Sequence, residues 1–539
     1  MTNPNPKERW ASKLGVILVV ASSAIGLGNF LRFPGQAAQN GGGAFMIPYI
    51  ISFLLLGIPI CLSEWIMGRM GNRYGHSTPS IFRYYLSGIP LRIASTIALI
   101  IPVVIYIYYV YIEAWCLSYA VDFITGSISL APEGITSGTK EFTSAVVKNA
   151  DSQFINLTGA HTVGAAFSGR ILKYIFICYA LNFFLVYLGI SKGLEAFAKK
   201  AVPLLLICAA IVLVRVITLD GITEGLGFMW NPNWESLKQG KVWVAAAGQI
   251  FFSLSVGFGI VLSFSSYLSK KDDVVLSGLS AASVNEFVEV ALGGMITIPI
   301  GFLFLGAAVS KYGTFGMGFI ALPSVFAMMP GGQVFGSIWF FVLFIAAITS
   351  SVSMIQPGIS FLEEGFGLVR KASVSVLLPF TLATTMLIAY FNKDFLALDL
   401  TDFWIGTFLI YILATLQTLI YGWKIGPEAG RKHSEAGALL PLPKFFDFII
   451  KYITPLFLLV IFAVFAYQSL PGYFEKMNPE LMQAQALANN KSVEEAKQKA
   501  EIARGVFLAL LVGIVFFYNV VHFGLKNIER KYPIEPDKS

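Results

Sequence analysis

Long runs of apolar residues recur along this chain, separated by shorter polar stretches. About 20 consecutive apolar residues form a helix long enough to cross the hydrocarbon core of a bilayer. The pattern therefore predicts an all-α polytopic membrane protein with about 12 transmembrane helices. The predicted spans cover residues 11–37, 43–70, 90–124, 171–188, 193–216, 242–268, 276–307, 337–369, 374–391, 401–423, 446–470 and 504–524.

Two of these spans are interrupted by residues that do not suit a plain helix facing lipid. The first interruption runs from Ser22 to Asn29 and the second from Ser253 to Gly259. Backbone that leaves helical geometry at membrane depth frees amide and carbonyl groups, which is tolerated only where protein or a wet cavity satisfies them. The two breaks therefore indicate a binding site that is built from freed backbone groups and shared by two repeats.

The polar segments divide the chain into parts. These are a cytoplasmic N-terminal segment at 1–10, a ten-helix core at 11–424, two further helices within 425–525 and a cytoplasmic tail at 526–539. Segments 126–169, 220–238 and 471–500 are polar and are predicted to be external, the last as a solvated helix. Residues 312–332 are too short and too interrupted by proline to cross the membrane, and predict a re-entrant or capping hairpin.

Composition and charge agree with a membrane protein. Hydrophobic residues make up 56% of the 539 residues and charged residues 13%, against about 25% charged residues in a soluble protein. The net charge of +7 does not indicate nucleic acid, because Lys and Arg concentrate in alternate loops, as the positive-inside rule expects. This distribution predicts a multi-pass protein of the cell's inner (plasma) membrane with both termini cytoplasmic.

The cysteines and histidines do not suggest an enzyme. Cys61, Cys116, Cys178 and Cys208 lie inside apolar spans and are best explained as small buried hydrophobic residues. A membrane-embedded enzyme would need a nucleophile with a base, or a metal cluster, and the sequence offers neither. A channel would need a continuous polar pore or a repeated filter, for which the sequence gives no sign.

The polar groups inside the spans are mostly neutral oxygen ligands. They include Ser22, Asn29, Ser253, Ser255, Asn285, Thr349, Ser350 and Ser351. Such a set, poor in carboxylates, suits a monovalent alkali ion better than Ca²⁺ or a soft metal. The Ser/Thr run can alternatively bond back to the preceding helical turn. The intramembrane acids Glu64, Glu113, Glu286 and Glu289 can alternatively be protonated and hydrogen-bonded.

Together these residues resemble the neurotransmitter:sodium symporter family, most closely its bacterial amino-acid members. The resemblance covers about residues 8 to 525. It is carried by the motifs Trp10-Ala11-Ser12-Lys13-Leu14-Gly15, Gly26-Leu27-Gly28-Asn29-Phe30-Leu31-Arg32-Phe33-Pro34, Gln39-Asn40-Gly41-Gly42-Gly43-Ala44-Phe45, Tyr108-Tyr109-Val110-Tyr111, Gly248-Gln249-Ile250-Phe251-Phe252-Ser253-Leu254-Ser255 and Thr349-Ser350-Ser351. It implies the leucine-transporter (LeuT) fold, a five-plus-five inverted repeat in which helices 1 and 6 are broken.

The resemblance implies two sodium sites. The first would use the Ala24 carbonyl, the side chains of Asn29, Ser253 and Asn285, and the carboxylate of the transported solute. The second would use the carbonyls of Ser22, Ile25 and Ala346 and the hydroxyls of Thr349 and Ser350. The family commonly has glycine where Ser22 stands and threonine where Ser253 stands. Both differences keep the ligand oxygen.

The resemblance also implies the residues that meet the solute. Its carboxylate would contact Tyr109 and the amides of Leu27 and Gly28. Its amino group would contact the carbonyls of Ala24 and Phe252 and the hydroxyl of Ser255. The side-chain pocket would be lined by Ile105, Phe252, Phe258, Ser350 and Met354. None of these liners is charged, so a charged solute side chain would be left unpaired at high cost.

Two gates follow from the same resemblance. The external gate would be Arg32 with Asp402, above a lid of Tyr109 and Phe258. The cytoplasmic gate would be Lys7 with Glu364, next to Ser266 and Tyr267. The family often has Arg and Asp at this second pair, and Lys does not replace Arg in geometry.

Glu289 falls where chloride-dependent members of the family hold an anion, near the positions of Tyr49, Gln249, Ser253 and Asn285. A carboxylate here can supply that negative charge, so transport is predicted to be chloride-independent. The alternative is a neutral Glu289 in a packed helix pair. The expected function is sodium symport of neutral, mainly hydrophobic L-amino acids by alternating access. An amine or osmolyte as the solute is the alternative within the class, and the sequence leaves the oligomeric state open.

Overall fold

The computed structural model describes Trp10 and residues 12–160, 168–269, 271–490 and 492–533, apart from the side chains of Lys13 and Leu14. In these ranges the chain forms helices and short connections, with one isolated β-bridge between Gly42 and Pro232. The predicted all-α class is confirmed.

The helices are numbered here in chain order. They are α1 (Lys13–Ala24), α2 (Gly28–Gln39), α3 (Gly43–Gly71), α4 (Thr78–Tyr85), α5 (Gly88–Thr125), α6 (Lys140–Thr158), α7 (Gly169–Tyr187), α8 (Ile190–Ile217), α9 (Ile222–Trp230), α10 (Gly240–Leu254), α11 (Ile260–Ser265), α12 (Val274–Lys311), α13 (Thr314–Met328), α14 (Gly332–Phe366), α15 (Arg370–Tyr390), α16 (Lys393–Ile425), α17 (Pro427–Glu435), α18 (Phe445–Glu475), α19 (Pro479–Ala488) and α20 (Val493–Lys531).

Ten helices in the described ranges are long and apolar enough to cross a membrane, namely α3, α5, α7, α8, α12, α14, α15, α16, α18 and α20. The pair α1 and α2, bent by 42° at its break, makes an eleventh. The remaining predicted span, 242–268, corresponds to α10 and α11, which are each shorter than a bilayer crossing and are separated by residues 255–259. Both predicted breaks are therefore present.

The two broken spans pack at the centre of the helix bundle. The long helices α5 and α14 are the most deeply buried of the crossing helices, and they pack along each other. Helix α1 packs against α8, α12 and α14, while α2 packs against α10 and α12. The first break is therefore enclosed by protein on several sides, as unwound backbone at this depth requires.

A glycine lets α12 approach the first break closely. A Cβ atom built on Gly293 would lie 2.0 Å from the backbone oxygen of Asn29. Gly293 lies in a π-helical turn of α12, Val288–Gly294, which also carries Glu289. This wide turn and the missing side chain together bring the carboxylate to the break.

The polar segments contain more helix than the sequence pattern predicts. Residues 126–169 include the 19-residue helix α6, residues 220–238 include α9, and residues 312–332 contain the single helix α13 in place of a hairpin. Apolar side chains anchor them: Phe154 of α6 is buried and stacks on Phe319 of α13.

The segment at 471–500 also differs from the prediction of one solvated helix. It holds the end of α18, the short helix α19 and the first turns of α20, which continues without interruption into the last span. Arg504 Nε donates to the Met477 carbonyl at 2.7 Å and so ties α20 to the residues that follow α18.

Replacing Gly293 with alanine is expected to destabilise the protein. The added methyl group would overlap the Asn29 carbonyl, and such overpacking costs about 1–3 kcal/mol. Thermal unfolding of purified protein in detergent should show a lower midpoint for Gly293→Ala. Gly513→Ala in α20, where nothing lies within 4 Å of the new Cβ, is the control and should match the wild type. Equal midpoints for both variants would contradict the close contact.

Candidate functional site

The first break frees two amides, and side chains satisfy both. Helix α1 ends at Ala24, and Ile25 takes extended backbone angles, with φ −69° and ψ 98°. The Gly26 amide then donates to Asn29 Oδ1 at 2.8 Å, and the Leu27 amide donates to the Tyr109 hydroxyl at 2.8 Å. The break is thus a fixed feature, and its two freed amides point at Asn29 and Tyr109.

Asn29 joins the break to the other predicted ligands of the first sodium site. Its Nδ2 donates to Asn285 Oδ1 at 2.9 Å and to Glu289 Oε2 at 3.1 Å. Asn285 Nδ2 donates to Ser253 Oγ at 2.7 Å. All four side chains are buried. The structure therefore brings together the three side chains from α2, α10 and α12 that the family resemblance implies for one site.

Glu289 lies in the middle of this group and accepts only from neutral donors there. Gln249 Nε2 donates to its Oε1 at 2.8 Å, and the Ser253 hydroxyl and Asn29 Nδ2 donate to its Oε2. The Tyr49 hydroxyl, in turn, donates to the neighbouring Glu286. A carboxyl group thus sits at the position where the sequence analysis expects a negative charge.

Two members of the Ser/Thr run on α14, Thr349 and Ser350, make different contacts. Thr349 Oγ1 bonds back to the Ile345 and Ala346 carbonyls, both at 3.0 Å. Ser350 Oγ instead crosses to α1 and lies 3.4 Å from the Ser22 carbonyl and 3.2 Å from the Ile25 carbonyl. The back-bonded alternative therefore holds for Thr349, while Ser350 gathers the main-chain oxygens of the second predicted sodium site.

The second break is built from left-handed backbone. Ser255, Gly257 and Gly259 have φ values of 52°, 75° and 80°, a region that glycine adopts readily and other residues rarely. The Gly257 amide donates to Glu64 Oε1 at 3.1 Å, and the Thr78 hydroxyl donates to the Gly259 carbonyl at 3.1 Å. Glu64 thus has a structural role at this break.

The predicted pocket walls are apolar and largely buried. Ile105 precedes Tyr109 by one helical turn on α5, and Met354 follows Ser350 by one turn on α14, so each lies on the face that carries the site. Phe258 is buried like both of them. Phe252 packs against the break so closely that a Cβ on Gly28 would lie 3.0 Å from its ring.

The predicted external gate residues lie near each other without a direct ion pair. Arg32 places its guanidinium carbon 4.4 Å from the centre of the Phe252 ring. Asp402 accepts a hydrogen bond from the Tyr108 hydroxyl at 2.6 Å. Arg32 also lines a cavity of about 720 Å³ between α2, α10, α16 and α18, with Gln36, Tyr411 and Tyr473 among its walls.

Of the predicted cytoplasmic gate, Lys7 lies outside the described residues. Glu364 accepts four hydrogen bonds, from the His76 and Ser77 amides and from the Ser77 and Ser80 hydroxyls. Its carboxylate thereby caps α4. Above it, the His76 ring stacks on Tyr267 at 4.0 Å, and its Nδ1 lies 2.9 Å from Ser266 Oγ.

Sequence reasoning missed several partners of these residues. His76, Ser77 and Ser80 were not connected with Glu364, although Ser77-Thr78-Pro79 is a helix-start signal. Tyr108 belongs to the Tyr108-Tyr109-Val110-Tyr111 motif, and nothing in the sequence marks it as the partner of Asp402. Asn182, which hydrogen-bonds Glu113, was not singled out at all.

Comparisons with known proteins identify the family of this chain. A sequence profile described as the sodium:neurotransmitter symporter family matches residues 7–488. An uncharacterized sodium-dependent transporter of Methanocaldococcus jannaschii is 29% identical over 460 residues, covering 84% of this chain and 89% of its own. The sodium-dependent serotonin transporter of Drosophila melanogaster is 27% identical over 500 residues, covering 88% of this chain and 78% of its own.

A solved structure shares the fold. The crystal structure of MhsT in complex with L-phenylalanine aligns with a TM-score of 0.73 and 26% sequence identity, covering 85% of this chain and 99% of that one. The alignment thus covers most of the helix bundle described above.

Removing the Glu364 carboxylate is expected to loosen α4. The Glu364→Ala variant leaves the His76 and Ser77 amides without their acceptor, and an unsatisfied buried donor costs about 1–3 kcal/mol. Hydrogen exchange in residues 78–85 should accelerate by about tenfold or more. The control is Glu428→Ala, whose partner Lys432 is itself largely exposed. The same exchange rate in Glu364→Ala and wild type would show that Glu364 does not hold α4.

Proposed function

Because this chain belongs to the sodium:neurotransmitter symporter family, a family of sodium-coupled transporters, we propose that it carries neutral, mainly apolar L-amino acids and does so without chloride. The observation that carries the proposal is the meeting of two unwound segments with Tyr109 and Asn29. Unwound main chain beside a buried set of neutral oxygens can bind a zwitterion and an alkali ion together.

The polar end of the solute would be bound mostly by main chain. Its carboxylate would take the Tyr109 hydroxyl and the amides of Leu27 and Gly28, at the start of α2, where the helix dipole favours an anion. Its ammonium group would be held by the carbonyls of Ala24 and Phe252 and by the Ser255 hydroxyl. Every L-amino acid has these two groups, so this end sets the class of solute and not its identity.

The other end of the solute selects against charge. Ile105, Phe258 and Met354 are buried and apolar, and a charged side chain among them would lose its hydration without gaining a partner. The L-phenylalanine bound to MhsT is itself a neutral, apolar amino acid, which supports the same class of solute for this chain. The flexible thioether of Met354 can adapt to side chains of different size.

We place sodium at two sites. The first comprises the Ala24 carbonyl, Asn29, Ser253 and Asn285, completed by the solute carboxylate. The second comprises the carbonyls of Ser22, Ile25 and Ala346 with the hydroxyls of Thr349 and Ser350. Sharing one carboxylate between solute and ion couples their binding, so each raises the affinity of the other by the same factor. The membrane potential adds about 2.3 kcal/mol per charge per 100 mV.

Glu289 replaces chloride in this proposal. Its carboxylate accepts from Asn29 and Ser253, two of the proposed ligands of the first site, and so lies beside the bound cation. A fixed negative charge at this distance offsets the charge of the ion. The alternative of a neutral Glu289 would leave that charge uncompensated, and chloride would then be needed.

Transport would proceed by alternating access in a multi-pass protein of the inner (plasma) membrane with cytoplasmic termini. Solute and sodium would enter past Arg32 and Asp402 and be covered by Tyr109 and Phe258. Opening of the opposite face would require the contacts of Glu364, Ser266 and Tyr267 to separate, together with Lys7.

Uptake into proteoliposomes tests the solute class. Purified protein is reconstituted with an inward sodium gradient and offered labelled L-leucine, L-phenylalanine, L-glutamate, L-lysine, serotonin and betaine. Sodium-dependent uptake is expected for the first two and not for the charged amino acids. Uptake of serotonin or betaine alone would favour the amine or osmolyte alternative, and uptake in the absence of a sodium gradient would contradict symport.

Chloride independence is tested by anion replacement. With gluconate in place of chloride, the wild-type uptake rate is expected to stay within about twofold, because Glu289 supplies the charge. The Glu289→Ser variant should lose most of its uptake in gluconate and recover it in chloride. A wild-type rate that collapses in gluconate would refute the assignment of Glu289.

The sodium ligands are tested by side-chain removal. Asn29→Ala takes an oxygen from a dehydrated ion, a loss of about 2–3 kcal/mol, so sodium-driven uptake should fall by about 30-fold or more. Asn519→Ala is the matched control, because Asn519 is exposed on α20 and bonds only its own helix. Sodium-dependent uptake near the wild-type rate in Asn29→Ala would remove Asn29 from the site.

A further inference from the structure

A closed ring of hydrogen-bonding side chains lies behind the Ser/Thr run of α14. It consists of Glu113 on α5, Asn182 on α7 and Ser351 on α14, all with no exposed surface. Asn182 Nδ2 lies 2.9 Å from Glu113 Oε1, Ser351 Oγ lies 2.7 Å from Glu113 Oε2, and Ser351 Oγ lies 2.7 Å from Asn182 Oδ1. Each of the three distances is that of a normal hydrogen bond.

Each of the three contacts in the ring needs one hydrogen atom between its two heavy atoms, so the ring needs three hydrogens. Asn182 supplies one to the ring, because the other hydrogen of its Nδ2 goes to the Cys178 carbonyl at 3.0 Å. Ser351 has a single hydroxyl hydrogen. An ionised Glu113 has none to give, so one short oxygen–oxygen contact would lack a hydrogen. A protonated Glu113 supplies the third, and every edge is then filled.

The result does not depend on how the Asn182 amide is oriented. If its nitrogen and oxygen are exchanged, the nitrogen donates to Ser351, Ser351 donates to Glu113, and the third edge again requires a hydrogen on Glu113. The exchange would also set the amide oxygen against the Cys178 carbonyl, so the orientation described above is preferred. The ring closes only around a neutral acid.

Among the residues that the structure describes, no cation acts on Glu113 to compensate a negative charge. The titratable groups that face it are Tyr106, Tyr109 and Cys116 on its own helix and Cys178 and Tyr179 on α7, while α14 contributes only hydroxyls. Each of these groups is neutral when protonated. A carboxylate would therefore be an unpaired charge in a dry interior, which is costly.

We propose that the Glu113–Asn182–Ser351 ring is a proton-binding site that opposes sodium at the second ion site. This proposal rests on the proposed function. Two neighbouring residues link the ring to the second ion site: Ser351 closes the ring, and the adjacent Ser350 points at the Ser22 and Ile25 carbonyls. Protons and sodium ions are both cations, so binding of one at this place disfavours binding of the other.

Ionisation of the ring also changes its structure. When the Glu113 acid O–H bond breaks, the electron pair stays on the carboxylate and the proton passes to solvent. The ring then has two hydrogens for three edges, so Ser351 can hold Glu113 or Asn182 but not both. The contact between α14 and α7 weakens as sodium binds, and proton uptake restores it.

The test measures binding of radioactive sodium to the purified protein, without solute, across a range of pH. In the wild type, the sodium concentration for half-saturation should rise on acidification, by up to about tenfold per pH unit, the limit for one competing proton. In Glu113→Gln the side-chain amide supplies the third hydrogen permanently. Binding should persist and its dependence on pH should largely disappear. Retention of the full wild-type dependence in this variant would overturn the proposal.

Infrared spectroscopy gives an independent readout of the proton. The wild type without sodium should show a carbonyl band of a protonated carboxylic acid that Glu113→Gln lacks and Glu289→Gln retains, and adding sodium should reduce that band. If Glu113→Gln does not fold, Ser351→Ala replaces it, because loss of the hydroxyl acceptor must shift the band. If no carbonyl band changes in Glu113→Gln or Ser351→Ala, the assignment of the proton site is overturned.

A third variant separates the two proposals. Thr349→Ala removes a ligand of the proposed second sodium site without touching the ring. If sodium binding is unchanged in Thr349→Ala while the Glu113 band is present, the assignment of the sodium site fails and the linkage fails with it, while the neutral acid stands. If sodium binding weakens in Thr349→Ala and the pH dependence remains tied to Glu113, both hold.

Discussion

Peptide groups released from two helices at membrane depth must find partners where lipid excludes water, and this requirement organises the protein. The Gly26 and Leu27 amides are satisfied by Asn29 and Tyr109, and the Gly257 amide by Glu64. Each partner comes from a different helix or from the far side of the break. The unwound segments are therefore held by the bundle around them, because side chains and not lipid or bulk water satisfy their amides.

The same requirement explains the buried polar residues of α5, α10, α12 and α14. Asn29 links α2 to Asn285 and Glu289 on α12, and Ser350 links α14 to the carbonyls of α1. Removing any member leaves other polar groups unsatisfied. A buried network that is only partly satisfied is less stable than an apolar contact. The proposed ion sites, the helix packing and the shape of the break thus depend on the same buried side chains, which is the physical basis that we propose for coupling ion and solute.

Much of this could be predicted from the sequence, because it depends on patterns that are local. Apolar runs of bilayer length predict the spans, and glycine, serine and asparagine inside two of them predict the breaks. The solvent-facing segments were predicted less well: α6 and α13 follow from the contact of Phe154 with Phe319, which no local pattern contains. Long-range polar partners were the hardest, since nothing near Asn182 or His76 in the chain indicates Glu113 or Glu364.

Coupled transport by this protein requires that solute and ion bind directly to the unwound segments. The most direct measurement is an electron cryo-microscopy map of the protein with sodium and a bound L-amino acid. The account predicts density for the solute carboxylate within hydrogen-bond distance of the Leu27 and Gly28 amides and the Tyr109 hydroxyl, with α1 and α10 still ending at Ala24 and Leu254. Helices that run continuously through residues 25–27 and 255–259, with the solute bound elsewhere, would contradict it.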